Sequence, residues 1–290
     1  VNKLVEPVDD SSPFILRDPN RCILCGRCIR ACAEIAEQRI LNFANRGSKT
    51  IIAADLSWPL AQSNCISCGA CLQACPTGAL TEKQARFQGR NWELRKVQTT
   101  CPYCGVGCQI ELNVKENRIV KISGVEGGHN KGNLCVKGRF GFEYVNHPDR
   151  LTTPLIKRDG RFEKASWDEA MELVAEELKR YAPHEVGVIA SAKCTNEENY
   201  VMQKFARAVL GTNNVDHCAR LCHAPTVAGL VQSFGSGAMT NSISEIGDAA
   251  CVLAIGTNTT EDHPIIGLEV KRAVNSGGKL IVANPREINL

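Results

Sequence analysis

The spacing of apolar and polar side chains changes along the chain, and the changes divide it. Residues 109–114 and 118–123 alternate polar and apolar positions about Glu116-Asn117, which predicts a β-hairpin. Ser166-Trp-Asp-Glu169 reads as a capping box opening an amphipathic helix that reaches about Tyr181. Residues 186–191 form an apolar run short enough for a buried strand. Thr195-Asn-Glu-Glu198 caps a second helix, running to about Leu210 with Tyr200, Phe205 and Val209 toward a core. Residues 250–255 and 279–283 read as strands with a helix over about 264–275 between them. Strand, helix and strand in this order imply a parallel α/β sheet. Ligands of such sheets bind at the carboxyl ends of the strands, so the loops opening at Ser191, Gly256 and Asn284 are the expected places for a site. The N-terminal part is less periodic: 33–39 reads as helix and 50–54 as strand.

Composition narrows the class. The 290 residues suggest about two domains, and an apolar fraction of 43% is that of an ordinary globular protein. A net charge of +3 on 34 basic and 31 acidic residues selects neither nucleic acid nor a membrane surface as partner. No apolar run is long enough to span a bilayer. The chain opens at Val1 and ends at Leu290 just after a predicted strand, so both ends read as cuts.

Cysteine changes the picture most. There are sixteen, many at repeated intervals of three, which disulfide scaffolds do not need and cluster-binding loops do. The implied setting is a reducing, cytoplasmic compartment. Cys22, Cys25, Cys28 and Cys32 follow the C-x2-C-x2-C-x3-C rule, and Cys65, Cys68, Cys71 and Cys75 repeat it, with Pro76 completing the bacterial ferredoxin signature. In two-cluster ferredoxins the fourth cysteine of each run serves the other cubane. One 4Fe–4S cluster is thereby assigned to Cys22, Cys25, Cys28 and Cys75, the other to Cys65, Cys68, Cys71 and Cys32. Zinc would favour paired C-x2-C knuckles instead. Gly26 and Gly69 suit the tight turns, Ala33 stands where the signature has proline, and 33–64 is a longer insertion than a minimal ferredoxin needs. Residues 81–97, with Lys83, Arg86, Arg90, Arg95 and Lys96, read as a basic, solvated connector.

A third set has another spacing. Cys101, Cys104 and Cys108 follow C-x2-C-x3-C and Cys135 comes after the predicted hairpin, followed by Val136-Lys137-Gly-Arg139. This segment resembles the N-terminal cluster domain of the molybdenum and tungsten bis(molybdopterin guanine dinucleotide) oxidoreductases. The resemblance implies a third 4Fe–4S cluster and places Lys137 between cluster and pterin.

The stretch from Thr195 to Gly229 carries the most specific likeness. Within 216–229, Arg220-Leu-Cys222-His223 joins a cation, a thiolate and an imidazole in a loop punctuated by glycine and proline. It resembles the catalytic subunits of formate dehydrogenases, whose metal ligand is a cysteine or selenocysteine followed directly by the active-site histidine. Cys222 and His223 take those places. Cys218, four residues earlier, is the internal rival for the metal. Gly256-Thr257-Asn258 leaves backbone open to a phosphate or pterin, and His263 is a candidate pterin contact. Asn284-Pro285-Arg286 matches a family position that usually reads Asp-Pro-Arg and helps hold a guanosine. The remaining cysteines, Cys194 and Cys251, read as core thiols, and His129, His147, His184 and His217 as surface or satisfied polar groups.

Three segments result: a two-cluster ferredoxin-like module over 1–97, a small β-rich 4Fe–4S domain over 98–150, and the start of a parallel α/β molybdopterin-binding lobe over 151–290. The fold class is mixed α+β and α/β. The resemblance implies reversible oxidation of formate to CO2, with electrons leaving through three clusters toward an NAD(P)-reducing diaphorase, ferredoxin or hydrogenase module. It also implies an active-site arginine beyond Leu290, so this stretch by itself is expected to carry electrons without oxidising formate. Two alternatives stay open: a non-catalytic conduit like the large iron–sulfur subunit of complex I, and a nitrate reductase. The sequence does not choose between molybdenum and tungsten.

Overall fold

The computed structural model describes residues 5–290. The chain separates into two compact units: one runs up to Pro148 and takes in Ser242–Leu290, the other is Asp149–Asn241.

In the first unit, strand β1 (Ile15–Arg17) pairs antiparallel with β4 (Leu80–Glu82), so the two ends of the ferredoxin-like segment close on each other. Between them lie helix α1 (Arg27–Arg30), the antiparallel pair β2 (Leu41–Ala44) and β3 (Ile51–Ala54), and helix α2 (Ala70–Ala74). The helix expected over 33–39 lies earlier: α1 continues as a π-helical turn over Ala31–Ile35. It stops there because Glu37 and Arg39 adopt positive φ, outside the helical region. Both short helices start from a glycine in the left-handed conformation, Gly26 before α1 and Gly69 before α2.

The predicted hairpin forms as β6 (Gln109–Lys115) and β7 (Arg118–Gly124), with Glu116 and Asn117 both at positive φ in the two-residue turn. A strand the alternation did not announce, β5 (Arg95–Thr100), pairs with β6 and completes a three-stranded antiparallel sheet. Helix α3 (Val136–Phe140) follows Cys135. Its Phe140 enters the first core beside Ile15, Leu41 and Leu80 and stacks on Phe14, with ring centroids 4.7 Å apart.

The second unit opens with the antiparallel hairpin β8 (Leu155–Arg158) and β9 (Arg161–Lys164). Helix α4 (Trp167–Leu178) starts as expected, the Ser166 hydroxyl accepting from the Glu169 N–H at 3.1 Å. Strand β10 (Val188–Ala190) runs parallel to β11 (Val215–His217). Between them, α5 (Asn196–Lys204) carries a complete Thr195/Glu198 capping box and ends in a π-helical turn over Phe205–Val209. Two helices follow, α6 (Ala219–Cys222) and α7 (Ala224–Phe234).

The closing segment belongs to the first unit: β12 (Cys251–Ile255), the short α8 (Thr259–Asp262), α9 (Pro264–Asn275) and β13 (Lys279–Ala283), with β12 and β13 parallel. Ile265 and Leu268 of α9 share a core with Cys101, Val106, Cys108, Ile110 and Leu134.

Several burial expectations are corrected. The strands of 151–290 pair in parallel within each unit, β10 with β11 in the second and β12 with β13 in the first. Ile189, in the run expected to be a buried strand, is 83% exposed, and Tyr200 and Val209 are also exposed. Cys251, on β12, and Cys194, in the turn before α5, are exposed thiols, not core ones.

Candidate functional site

The twelve cysteines of the three sets lie in the first unit, and the fold sorts them by place rather than by run. One cavity, of about 240 Å³, is lined by Cys22, Cys25, Cys28 and Cys75, so the last cysteine of the second run joins the first three of the first. A second, narrower one is lined by Cys32, Cys65, Cys68 and Cys71. The crossing follows from α1 and α2 packing together and from β1 pairing with β4. Leu24 and Ser67, the second residue after the first cysteine of each run, adopt positive φ, which bends the loops around the cavities.

Backbone donors reach the sulfurs: the N–H of Leu24 points to Cys22 Sγ at 3.4 Å, and that of Ile40 to Cys32 Sγ at 3.3 Å. Burial pushes the Cys28 thiol up to about 11, with the Cys22, Cys75 and Cys25 sulfurs adding to it. Burial likewise raises Cys65, Cys68 and Cys71. At Cys75 burial also acts upward, but the N–H groups of Leu80, Thr77 and Ala79 and the Thr77 hydroxyl outweigh it and bring the thiol below its usual value. Sulfurs gathered in fours and served by N–H donors suit a shared load of iron, whose binding drives off the protons that burial favours on Cys28, Cys65, Cys68 and Cys71.

The third set is held by the hairpin sheet and α3. Cys101 donates its N–H to the Cys108 carbonyl at 2.8 Å, closing the loop that carries Cys104. Cys135 caps α3, with the Gly138 N–H 3.5 Å from its sulfur. Burial pushes Cys108 up to about 12, and Cys101, Cys104 and Cys135 add to the shift. Among the described residues no three His, Cys, Asp or Glu side chains are drawn tightly enough to hold a single ion. A cubane, with one iron for each cysteine, asks for wider spacing. Lys137 sits on the first turn of α3, exposed, two residues beyond Cys135.

Beside this set the strand-end loops converge. A methyl group placed on Gly105 would lie 3.7 Å from His263 Nε2, so His263 stands against the Cys104 loop. Gly256 donates its N–H to the Ala283 carbonyl at 2.8 Å, and Asn284 Nδ2 reaches the Thr257 carbonyl at 3.4 Å. Arg286 lies 3.7 Å from Glu261. Gly256, Asn284 and Arg286 thus meet at the carboxyl ends of β12 and β13. Next to them Asn258 Oδ1, Thr259 Oγ1 and Thr260 Oγ1 are buried without a hydrogen-bond partner. Such atoms cost stability unless something pairs with them, and a polar heterocycle or phosphate would. Of these, Asn258 was legible in the sequence; Thr259 and Thr260 were not, because a Thr-Thr pair opening a helix reads as ordinary capping.

Cys222 and His223 belong to the second unit. The loop expected around them is a helical turn: α6 ends at Cys222, His223 caps it, and α7 starts at once with Pro225 in its first turn. Cys222 is exposed. Cys218 is exposed too, but its sulfur accepts the Ala192 N–H at 3.2 Å. Arg220 turns to Asp216, with Nε 2.6 Å from the carboxylate, and His217 Nδ1 accepts the Ala219 N–H at 3.0 Å.

Three four-cysteine sets, the third beside a parallel strand-end loop, define the class as an iron–sulfur protein. Comparison with known proteins specifies it further. Residues 150–288 match the family described as molybdopterin oxidoreductase, and 94–147 match the molybdopterin oxidoreductase Fe4S4 domain. Residues 12–81 match the ferredoxin-like domain of NADH-quinone oxidoreductase subunit 3. The F420-dependent formate dehydrogenase 1 subunit alpha of Methanococcus maripaludis is 54% identical over 67% of this chain, and the corresponding subunit of Methanocaldococcus jannaschii is 50% identical over the same share. A Bacillus subtilis protein provisionally named a formate dehydrogenase is 39% identical over 97% of this chain. The chain spans 29% of the length of the two archaeal relatives and 33% of the Bacillus one. It belongs to the molybdopterin oxidoreductases.

Proposed function

We propose that this chain is part of the catalytic subunit of a formate dehydrogenase, working between formate and CO2. The observation that carries the reading is the Cys222-His223 pair, exposed at the α6–α7 junction in a chain whose relatives are named formate dehydrogenases. When bound, a molybdenum or tungsten bis(molybdopterin guanine dinucleotide) would take formate's two electrons together, and three 4Fe–4S clusters would pass them on one at a time.

Cys222 would supply the protein's sulfur to the metal, a soft ligand suited to it. His223, next in the chain, accepts the proton formate gives up, as an imidazole can near neutral pH. Asn258, Thr259 and Thr260 would pair their buried oxygens with the pterin, Gly256 would leave its backbone open to it, and Asn284 and Arg286 would hold the nucleotide end. His263 and Lys137 stand on the side of the third cysteine set. A cluster held by Cys101, Cys104, Cys108 and Cys135 would relay electrons to clusters held by the two ferredoxin-type sets, and from there to a partner subunit, a diaphorase, ferredoxin or hydrogenase module. The protein works in the cytoplasm; among the described residues no helix is long and apolar enough to cross a membrane.

Metal analysis with pterin extraction, alongside formate-dependent dye reduction, tests the reading on the full protein. Molybdenum or tungsten with guanine dinucleotide and formate turnover is the expected result. Iron without either metal or pterin would make the chain an electron conduit instead.

A further inference from the structure

Among the described residues Arg139 is the most deeply buried cation, and no carboxylate lies within ion-pair distance of it. It is 3% exposed, yet its hydrogen bonds all go to uncharged oxygens: Nε to the Cys68 carbonyl at 2.7 Å, and Nη1 and Nη2 to Gln73 Oε1 at 3.4 and 3.3 Å. A buried guanidinium without a counter-charge is strongly unfavourable, so its retention calls for an anion close by. The Glu82 carboxyl acts on it from beyond ion-pair reach. Cys68, whose carbonyl it holds, belongs to the Cys32, Cys65, Cys68 and Cys71 set, and the Arg139 backbone N–H donates to the carbonyl of Cys135, in the Cys101, Cys104, Cys108 and Cys135 set, at 3.0 Å. The placement is rigid. Gly69 leaves so little room that a methyl group there would lie 2.3 Å from Arg139 Cδ. The neighbouring Phe140 anchors the same helix by stacking on Phe14.

We propose that Arg139 is a shared counter-ion between the second ferredoxin-type cluster and the third cluster, making the former easier to reduce and drawing electrons from the third cluster toward it. The inference rests on the cluster assignment above. A cubane with four thiolate ligands carries net negative charge, and reduction adds one more. A fixed cation in a low-dielectric interior favours the more negative state, most strongly at the cluster whose Cys68 carbonyl it holds. One electron moves from one cluster to the next, and no proton or bond is exchanged. Arg139 is therefore a positioning residue of the relay, touching neither formate nor pterin.

Redox titration followed by electron paramagnetic resonance, on full protein isolated anaerobically, reads this directly and needs no turnover. Arg139→Gln should move the midpoint of one 4Fe–4S signal to lower potential, move a second less, and leave iron content unchanged. Arg139→Lys, which keeps the charge, should stay near the parent midpoint. Unmoved midpoints in fully loaded Arg139→Gln overturn the proposal. A lysine variant displaced as far as the glutamine variant does too, since the hydrogen bond to Cys68 would then be the cause. If Arg139→Gln loses iron, the lysine variant decides: full iron at the parent midpoint supports the counter-ion, and iron loss in both variants makes Arg139 a structural brace only. Failure of the underlying reading looks different, because the parent protein would then lack one of the cluster signals.

Discussion

Cys222 donates its backbone N–H to the carbonyl of Cys218 at 3.2 Å, which places the two thiols one helical turn apart. Spacing therefore does not separate them; their surroundings do. The Cys218 sulfur is engaged by the Ala192 N–H, and no hydrogen bond reaches the Cys222 sulfur among the described residues. Cys222→Ser should abolish formate oxidation while leaving every cluster signal in place. Cys218→Ser should keep substantial activity and cost about 1 kcal/mol through its weakened hydrogen bond. Dye-reduction assays together with X-ray absorption at the metal decide, and a protein–sulfur signal surviving in Cys222→Ser would reverse the assignment.

Iron should number about twelve per chain, four for each cubane. Acid-labile sulfide ought to agree with it. A count nearer eight, with Cys101 and Cys135 open to alkylation, would remove the third cluster.

Gly69 and Gly47 both have positive φ, at 72° and 62°, but only Gly69 has a close neighbour, Arg139. Gly47→Ala should cost about 1 kcal/mol, the penalty of a left-handed side chain. Gly69→Ala must also displace a buried guanidinium, and should lower iron content as well as the thermal midpoint. Equal effects from the two substitutions would show that the contact with Arg139 is unimportant.

The unpaired hydroxyl of Thr259 is a cost carried until a ligand meets it. Thr259→Val keeps the shape and removes the polar atom, so cofactor-free protein should gain on the order of 1 kcal/mol. Pterin content after purification should fall in the same variant. Full pterin occupancy in Thr259→Val would place the ligand elsewhere.

Burial raises the Glu82 carboxyl to about 7 against an ordinary 4.5, although Arg139 and then Lys121 pull it down. Between those values the folded protein holds a proton that the unfolded chain has released, so stability falls as pH rises through this window and levels off above it. The loss is on the order of 3 kcal/mol. Urea unfolding, followed by bleaching of the visible cluster absorbance, should show it between about pH 5 and pH 8, and Glu82→Gln should flatten it. A parent protein with no such slope would mean that Glu82 is not desolvated.

The cysteine sets could be read from the chain because each loop carries its ligands at short, fixed intervals, and the exchange of Cys32 and Cys75 follows from the repeat. The hairpin about Glu116-Asn117 and the helix at Pro264–Asn275 were equally local signals. Strand β5 was missed because Arg95–Thr100 is exposed along its whole length and shows no alternation. Burial at β10 and β12 was misjudged for a different reason: an apolar run says that a strand can be covered, not what covers it. Arg139 was invisible because its partner is a backbone carbonyl 71 residues away, a relationship that no residue pattern encodes. At Cys222, Gly and Pro suggested a loop, but Ala219, Arg220 and Leu221 favour helix and a turn of helix forms.

Ile265 and Leu268 of α9 pack into the same core as Cys101 and Cys108, with His263 at the head of that helix. A close-packed interior resists deformation, so the span between the third cysteine set and the loops after β12 and β13 is set by one block of side chains. An electron hop slows steeply with distance. On the proposed function, a gap set by one packed block varies little from molecule to molecule, so the population should discharge at one rate rather than over a spread of rates.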